Sequence, residues 1–308
     1  LGNRLLDLFE SNGNINKEVI RQEREAFRRA QTGRHRSRDF DSNRLTRVEV
    51  IEKLAKESLL PAITFIFSRQ GCDSAVKQCL NGNLKLTSSA EREEIRRIAS
   101  KYTQNFNEED LIALNYAEWI SALERGIAAH HAGLLPAFKS CIEDLFQRGL
   151  LKAIFATETL ALGINMPAKT VVLEKIIKWN GEAHVQITPG EYTQLTGRAG
   201  RRGIDIEGNA VVLWAPTVDT ASIAGLATTR TYPLRSSFSP TYNMSINLLD
   251  RYGRDRARGS LESSFAQFQA DKAVVGLNRQ IKKNSEAISE FKTDQLCHLG
   301  DFSEYAKF

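Results

Sequence analysis

Short apolar, partly β-branched runs recur through the middle of the chain, separated by longer stretches whose apolar positions return with a helical period. Pro61-Ala-Ile-Thr-Phe-Ile-Phe67 is the first of these runs. Its continuous apolar character marks a strand buried on both faces of a parallel sheet. Similar strands are predicted at Ile127 to His130, Leu151 to Ala156, Thr170 to Glu174 and Gly208 to Trp214. Helices are predicted at 69–80, at 89–103 behind the capping box Ser88-x-x-Glu91, at 108–125 up to Gly126, and from Pro136 to a stop at Gly149. Strands alternating with helices in this rhythm predict an α/β domain with a parallel, doubly wound sheet.

Lys175-Ile-Ile-Lys-Trp179 and Glu182-Ala-His-Val-Gln-Ile187 break the rhythm, because they flank Asn180-Gly181. That dipeptide predicts a β-hairpin with a two-residue type I′ turn. Before residue 60 the chain is polar and rich in arginine. It is expected to hold a helix from Lys17 to Ala30, ended by Gly33, a mobile linker from Gly33 to Asp39, and a helix behind the box Thr46-x-x-Glu49. The linker arginines are read either as a solvated tether or as cations that follow a nucleic-acid backbone. After about Thr217 the pattern turns helical, at Thr241 to Leu249 and Leu261 to Phe268, and the residues from Asp271 onward are charged and helical.

Composition changes this picture little. The 308 residues carry a net charge of +5, with 42% hydrophobic and 26% charged residues, which fits a globular chain able to take a polyanion partner. No apolar run approaches the ~20 residues that span a bilayer, so no membrane is expected. Cys72, Cys79, Cys141 and Cys297 have no metal-ligand spacing. They are expected to be reduced thiols of a cytoplasmic protein, with no metal site. The opening Leu1-Gly2-Asn3-Arg4 lacks an initiator Met, and the chain is read as a fragment.

The candidate chemistry centres on Gln194-Leu-Thr-Gly-Arg198-Ala-Gly-Arg201-Arg-Gly203, with no acid between Glu191 and Asp205. A helix from Pro189 to about Gly200 would put Gln194, Arg198 and Arg201 on one face and Tyr192, Leu195 and Ala199 on the other. An amide and two guanidinium forks suit phosphate oxygens; the alternative is a solvated basic helix end. This run resembles motif VI of superfamily-two helicases. Ala156-Thr-Glu-Thr-Leu-Ala-Leu-Gly-Ile-Asn-Met-Pro-Ala168 resembles motif V as superkiller-type, exosome-cofactor DExH-box helicases write it. The likeness runs from about Leu60 to Ala273.

The resemblance implies an arginine-rich linker with helices at 1–59, a second RecA-like domain with motifs IV, V and VI at 60–216, and at 217–308 a partial winged helix leading into a helical insertion. It implies ATP and Mg²⁺ as cofactors, with Arg198 and Arg201 as arginine fingers, Gln194 on the γ-phosphate side, and Gly163 and Asn165 facing the ribose. Ser68, Arg69, His131, Thr157 and Thr159 would contact a nucleic-acid backbone. For the threonines the alternative is capping of the turn after the strand, and for His131 a satisfied polar group. The hairpin around Trp179, Asn180 and Gly181 would separate strands, or merely close a sheet edge. No G-x-x-x-x-G-K-[ST] loop and no Asp-Glu-x-His occurs. The P-loop and the Mg²⁺ ligands are therefore expected on a first RecA-like domain, itself a partner, and this chain alone is expected to be inactive. The implied function is half the motor of an ATP-dependent helicase on single-stranded or duplex RNA, with RNA-degradation machinery as a further partner. A DNA-repair helicase or a non-catalytic nucleic-acid-binding fragment are the alternatives.

Overall fold

The structure, a computed structural model, describes residues 5–32, 45–161, 166–214, 219–229, 236, 238–294, 296, 297, 300 and 301. The chain divides into two compact units, Leu1–Arg230 and Thr231–Phe308.

The first unit is built on a five-stranded parallel sheet of β1 (Ala62–Phe65), β2 (Ile127–His130), β3 (Ala153–Ala156), β4 (Thr170–Leu173) and, after the hairpin strands β5 (Ile177–Trp179) and β6 (His184–Gln186), β7 (Asn209–Val212). The strands lie in the order β2-β3-β1-β4-β7, all parallel. Because side chains alternate along a strand, Ile63, Phe65, Ile154, Val171 and Leu173 enter one buried cluster while Ala62, Ala153, Phe155 and Val172 enter the other. Burial on both faces explains why these strands read as unbroken apolar runs.

Helices cover both faces. On one side lie α2 (Arg47–Lys56) and α3 (Arg69–Asn81), which bury Val50, Ile51, Leu54, Cys72, Ala75 and Cys79. On the other lie α4 (Ser89–Thr103), α7 (Pro136–Gln147) and α8 (Pro189–Thr196), with Ile95, Ile98, Ile142, Leu145 and Leu195 in the core. The boxes at Thr46 and Ser88 both close, each hydroxyl accepting from the backbone three residues on. The helix expected over 108–125 is broken into α5 (Glu108–Ala113) and α6 (Tyr116–Glu124). Asn115 adopts the left-handed conformation between them (φ 52°), which asparagine tolerates better than most residues. Trp119 on the second piece stacks on Phe138 at 4.2 Å.

The unit is wider than the sequence boundaries at 60 and 216. The amino-terminal α1 (Lys17–Thr32) meets α9 (Thr220–Thr228), where Glu23 accepts from the Thr220 backbone at 3.0 Å, and α9 packs on α8. Arg47 grips Glu174, just past β4, through Nε and Nη2 at 2.8 and 2.9 Å. The linker expected at 33–39 lies outside the described residues, as do Gly163 and Asn165.

In the second unit, α10 (Tyr242–Glu262) is interrupted at Gly253 (φ 74°), α11 spans Phe265–Asp294, and β8 (Leu296–Cys297) pairs antiparallel with β9 (Gly300–Asp301). The first helix outruns the segment predicted at Thr241 to Leu249, and α11 joins part of the segment predicted at Leu261 to Phe268 to the charged helical stretch predicted from Asp271. Among the described residues no helix is long and apolar enough to cross a membrane.

Candidate functional site

The parallel register sets the carboxyl ends of four strands level: His130 opposite Ala156, Ala156 opposite Phe65, and Phe65 opposite Leu173. Loops leaving this edge carry Ser68 and Arg69, His131, Thr157 and Thr159, and, beyond β4, the hairpin. Such an edge is where open α/β sheets place ligands.

The side chains there are committed to different degrees. Ser68 caps α3, its hydroxyl accepting from Gly71 N at 3.1 Å, and Arg69, exposed to solvent, begins the helix. His131 is buried; Gly133 N–H donates to its Nδ1 at 3.1 Å, so Nε2 carries the proton and donates to Asp73 at 2.9 Å. Its ring is thus satisfied within the protein and shapes the 131–133 turn beneath Arg69. Thr157 is buried and shares a 2.9 Å hydroxyl contact with Thr159, which is exposed on the 3₁₀ turn Glu158–Ala161. The turn itself is closed by the backbone, Leu160 N donating to Thr157 O at 3.1 Å.

The arginine-bearing run sits elsewhere. α8 stops at Thr196, and Gly197 caps it; Arg198 and Arg201 lie in the loop that leads into β7, not on a helix. The one-face argument over Gln194, Arg198 and Arg201 therefore fails, because Gly197 and Gly200 let the chain leave the helix between them. Tyr192 and Leu195 do face the core, and Ala199 packs against it. The loop is pinned by backbone: Ala168 N donates to Arg198 O at 2.9 Å, and Gly200 N to Ala168 O at 2.7 Å. Gly208 crosses it from below. A Cβ on Gly208 would stand 2.4 Å from the Ala199 carbonyl carbon, so only glycine fits there. Arg198 Nη2 donates to the carbonyl of Ala161, on the turn that carries Thr159.

Arg201 is not the unneutralised cation that the sequence suggested. Asp205 takes its Nε and Nη2 side-on, both at 2.8 Å, and also accepts from the Arg201 backbone N at 2.9 Å. The Asp205 side chain is 4% exposed and that of Arg201 24%. The spacing of four between them is the sequence signal for this pair. Gln194, on the last turn of α8, is exposed.

The hairpin forms, with Trp179 opposite His184 and Asn180 N donating to Ala183 O at 3.1 Å, so the turn centres on Gly181-Glu182 rather than on Asn180-Gly181. Asn180 Oδ1 accepts from the backbone of Glu182 and Ala183 at 2.9 and 2.8 Å. Only Gly181 of the Asn-Gly pair has a positive φ (106°), which excludes type I′. Trp179 remains half exposed at the tip. At the base, Lys178 reaches Glu158 on the 3₁₀ turn at 2.8 Å and Glu191 in the first turn of α8 at 2.6 Å. Burial pulls the Lys178 ammonium down, but the hydrogen bonds to both carboxylates outweigh it and leave its pKa raised.

Residues 91–203, which include both arginines and the turn that Arg198 grips, match the helicase conserved C-terminal domain family. The chain carries a helicase C-terminal domain. Over its whole length it is 52% identical to the probable helicase HelY of Mycobacterium tuberculosis (strain H37Rv), of which it covers 35%. It is 43% identical to the DExH-box ATP-dependent RNA helicase DExH11 of Arabidopsis thaliana over 73% of the chain and 17% of that protein. Against the human exosome RNA helicase MTR4 it is 35% identical over 91% of the chain and 26% of that protein. The chain thus spans about a third of the length of the HelY proteins it matches. These likenesses bear out the resemblance drawn from the two motifs and the RecA-like fold it implied.

The helicase loop also sets a pH dependence. Hydrogen bonds from Arg201 hold the Asp205 carboxyl down at about 2 against an ordinary 3.8, despite its burial. A depressed carboxylate stabilises the fold above its unfolded pKa, and that stabilisation fades as pH falls through the folded value. Asp205→Asn is accordingly expected to cost up to ~2 kcal/mol at pH 6, and progressively less between pH 4 and 2. Urea unfolding of the two chains across that range measures the difference; a cost that stays constant down to pH 2 contradicts the pairing.

Proposed function

We propose that this chain supplies half of an ATP-dependent helicase motor acting on RNA. The observation that carries the reading is the physical link between two surfaces. The carboxyl edge of the sheet presents Arg69 and Thr159, and Arg198, in the loop before β7, holds the turn on which Thr159 sits. A change at the loop therefore has a short, hydrogen-bonded route to the edge.

The residues fit one side of a nucleotide site. Arg198, Arg201 and Gln194 offer planar cations and an amide to phosphate oxygens, with Gly163 and Asn165 assigned to the ribose by motif resemblance alone. Bound ATP would supply the phosphoryl group whose transfer drives the cycle, and Mg²⁺ would be held by carboxylates of a first RecA-like domain outside these residues. Between the two arginines, Arg198 spends an N–H on the Ala161 carbonyl, whereas the Arg201 fork is engaged only along its Nε–Nη2 edge by the contacts described. Arg201 is the better placed to meet charge that develops on a phosphate, as an arginine finger does.

At the edge, Ser68, Arg69 and Thr159 are exposed, and Arg69 and Thr159 would contact successive phosphates. Ser68, Thr157 and His131 support them as cap, hydroxyl partner and turn. Phosphate contacts carry no base specificity, which suits translocation. The names of DExH11 and MTR4 as RNA helicases favour RNA. The hairpin stands on the same edge with Trp179 at its tip, and Lys178 joins its base to both motif segments.

Two outcomes follow from this assignment. Arg201→Ala in the full-length protein should lower kcat for RNA-stimulated ATP hydrolysis by ~10³ or more, with a smaller change in KM for ATP. Arg201→Lys should recover little, since a point charge cannot reproduce the fork. Steady-state ATPase at saturating RNA tests this, and a near-normal kcat for Arg201→Ala contradicts the finger. Trp179→Ala should depress duplex unwinding while leaving most RNA-stimulated ATPase; equal loss of both would make the hairpin a structural edge.

A further inference from the structure

Arg201 lies in a loop, not on a helix, and a loop arginine of this length would ordinarily sample many rotamers. Here it does not have that freedom. Asp205 binds Nε and Nη2 as a two-pronged clamp at 2.8 Å each, and the same carboxylate accepts the Arg201 backbone N–H at 2.9 Å. The peptide closes the circle, because Asp205 N donates to Arg201 O at 2.9 Å and Ile204 N to the same oxygen at 3.1 Å. The Asp205 side chain is buried and that of Arg201 is partly covered, so solvent competes little for the carboxylate. A carboxylate in this position fixes both the side-chain torsions of Arg201 and the plane of its fork.

The clamp engages one edge of the guanidinium. An Nε–Nη2 clamp leaves Nη1, with two N–H groups, on the far side of the fork. The fork's direction is thereby set before any phosphate arrives. Positioning of that kind lowers the reorganisation needed when charge develops in a transition state, which is where a finger acts. A carboxylate whose side chain is so little exposed would be costly to leave unpaired, so the pair forms as one unit.

We propose that Asp205 is the positioning residue of the arginine finger, holding Arg201 so that its Nη1 side meets the transferring phosphoryl group. Asp205 itself touches no nucleotide in this account; it acts only through Arg201. The proposal rests on the reading of Arg201 as a finger, and the test keeps the two apart.

The test is a double-mutant cycle in the full-length protein with Arg201→Ala, Asp205→Asn and the pair combined. Each is followed by RNA-stimulated ATPase, by melting temperature, and by calorimetric affinity for ADP with and without aluminium fluoride as a transition-state mimic. Asp205→Asn is expected to lower kcat by ~10–100-fold with KM for ATP changed less than about threefold, the pattern of an interaction made in the transition state. It should reduce the preference for ADP–aluminium fluoride over ADP by a similar factor. The double variant should be no slower than Arg201→Ala alone, because residues acting as a unit are not additive. Asp205→Glu, which keeps the charge but lengthens the side chain, should fall between wild type and Asp205→Asn in both readouts, and stands in should the Asn variant melt early.

If Arg201→Ala is slow but Asp205→Asn keeps both kcat and the preference for the mimic, Asp205 does not position the finger. Losses that multiply in the double variant overturn the proposal equally. A near-normal kcat for Arg201→Ala fails the finger reading itself, and the positioning role with it.

Discussion

The backbone crossing of Ala199 with Ala168 and Gly208 is the constraint on which the site depends. Ala168 ends the motif V segment two residues before β4, and Gly208 precedes β7, so the arginine loop is trapped between the approaches to neighbouring parallel strands. Sheet register then fixes the loop, since β4 and β7 pair from Thr170 opposite Asn209. Two further contacts depend on that placement: Arg198 reaching the Ala161 carbonyl, and Arg201 turning back on Asp205. Moving the crossing by one residue would break both.

From this point the connections run outward through charged groups. The 3₁₀ turn held by Arg198 also carries Glu158, which with Glu191 receives Lys178 from the hairpin. One ammonium thus ties the hairpin to the motif V turn and to the start of the motif VI helix. On the proposed function this is how the nucleotide-facing loop, the nucleic-acid-facing edge and the hairpin stay in register with one another. The Lys178 side chain is 17% exposed in this junction, and its two carboxylates keep it charged.

Much of the frame was legible from pattern. Buried parallel strands announce themselves as unbroken apolar runs, and capping boxes at Thr46 and Ser88 gave helix starts that the structure reproduces. Termination was harder to read. The run from Pro189 looks helical through Gly200, but Gly197 and the pairing of Ala199 with Ala168 stop it at Thr196, a long-range contact that no local signal encodes. Asn115 and the Asn180 side chain show the same limit: each asparagine redirects the backbone by its own conformation or hydrogen bonds, breaking one helix and shifting one turn. At the site, the motif letters located the arginines but not their partners. Asp205 stands four residues past Arg201 and was within reach of a spacing argument. The Ala161 carbonyl was not, because it depends on the path between β3 and β4.

The central claim is that Arg201, clamped along one edge by Asp205, presents its other edge to a phosphoryl group held by the rest of the motor. A structure of the full-length protein with RNA and ADP–aluminium fluoride tests it most directly. Arg201 Nη1 is expected ~3 Å from a fluoride, with the Nε–Nη2 clamp to Asp205 intact. An Arg201 fork turned away from the fluoride, or one that reaches it only after leaving Asp205, would contradict the account.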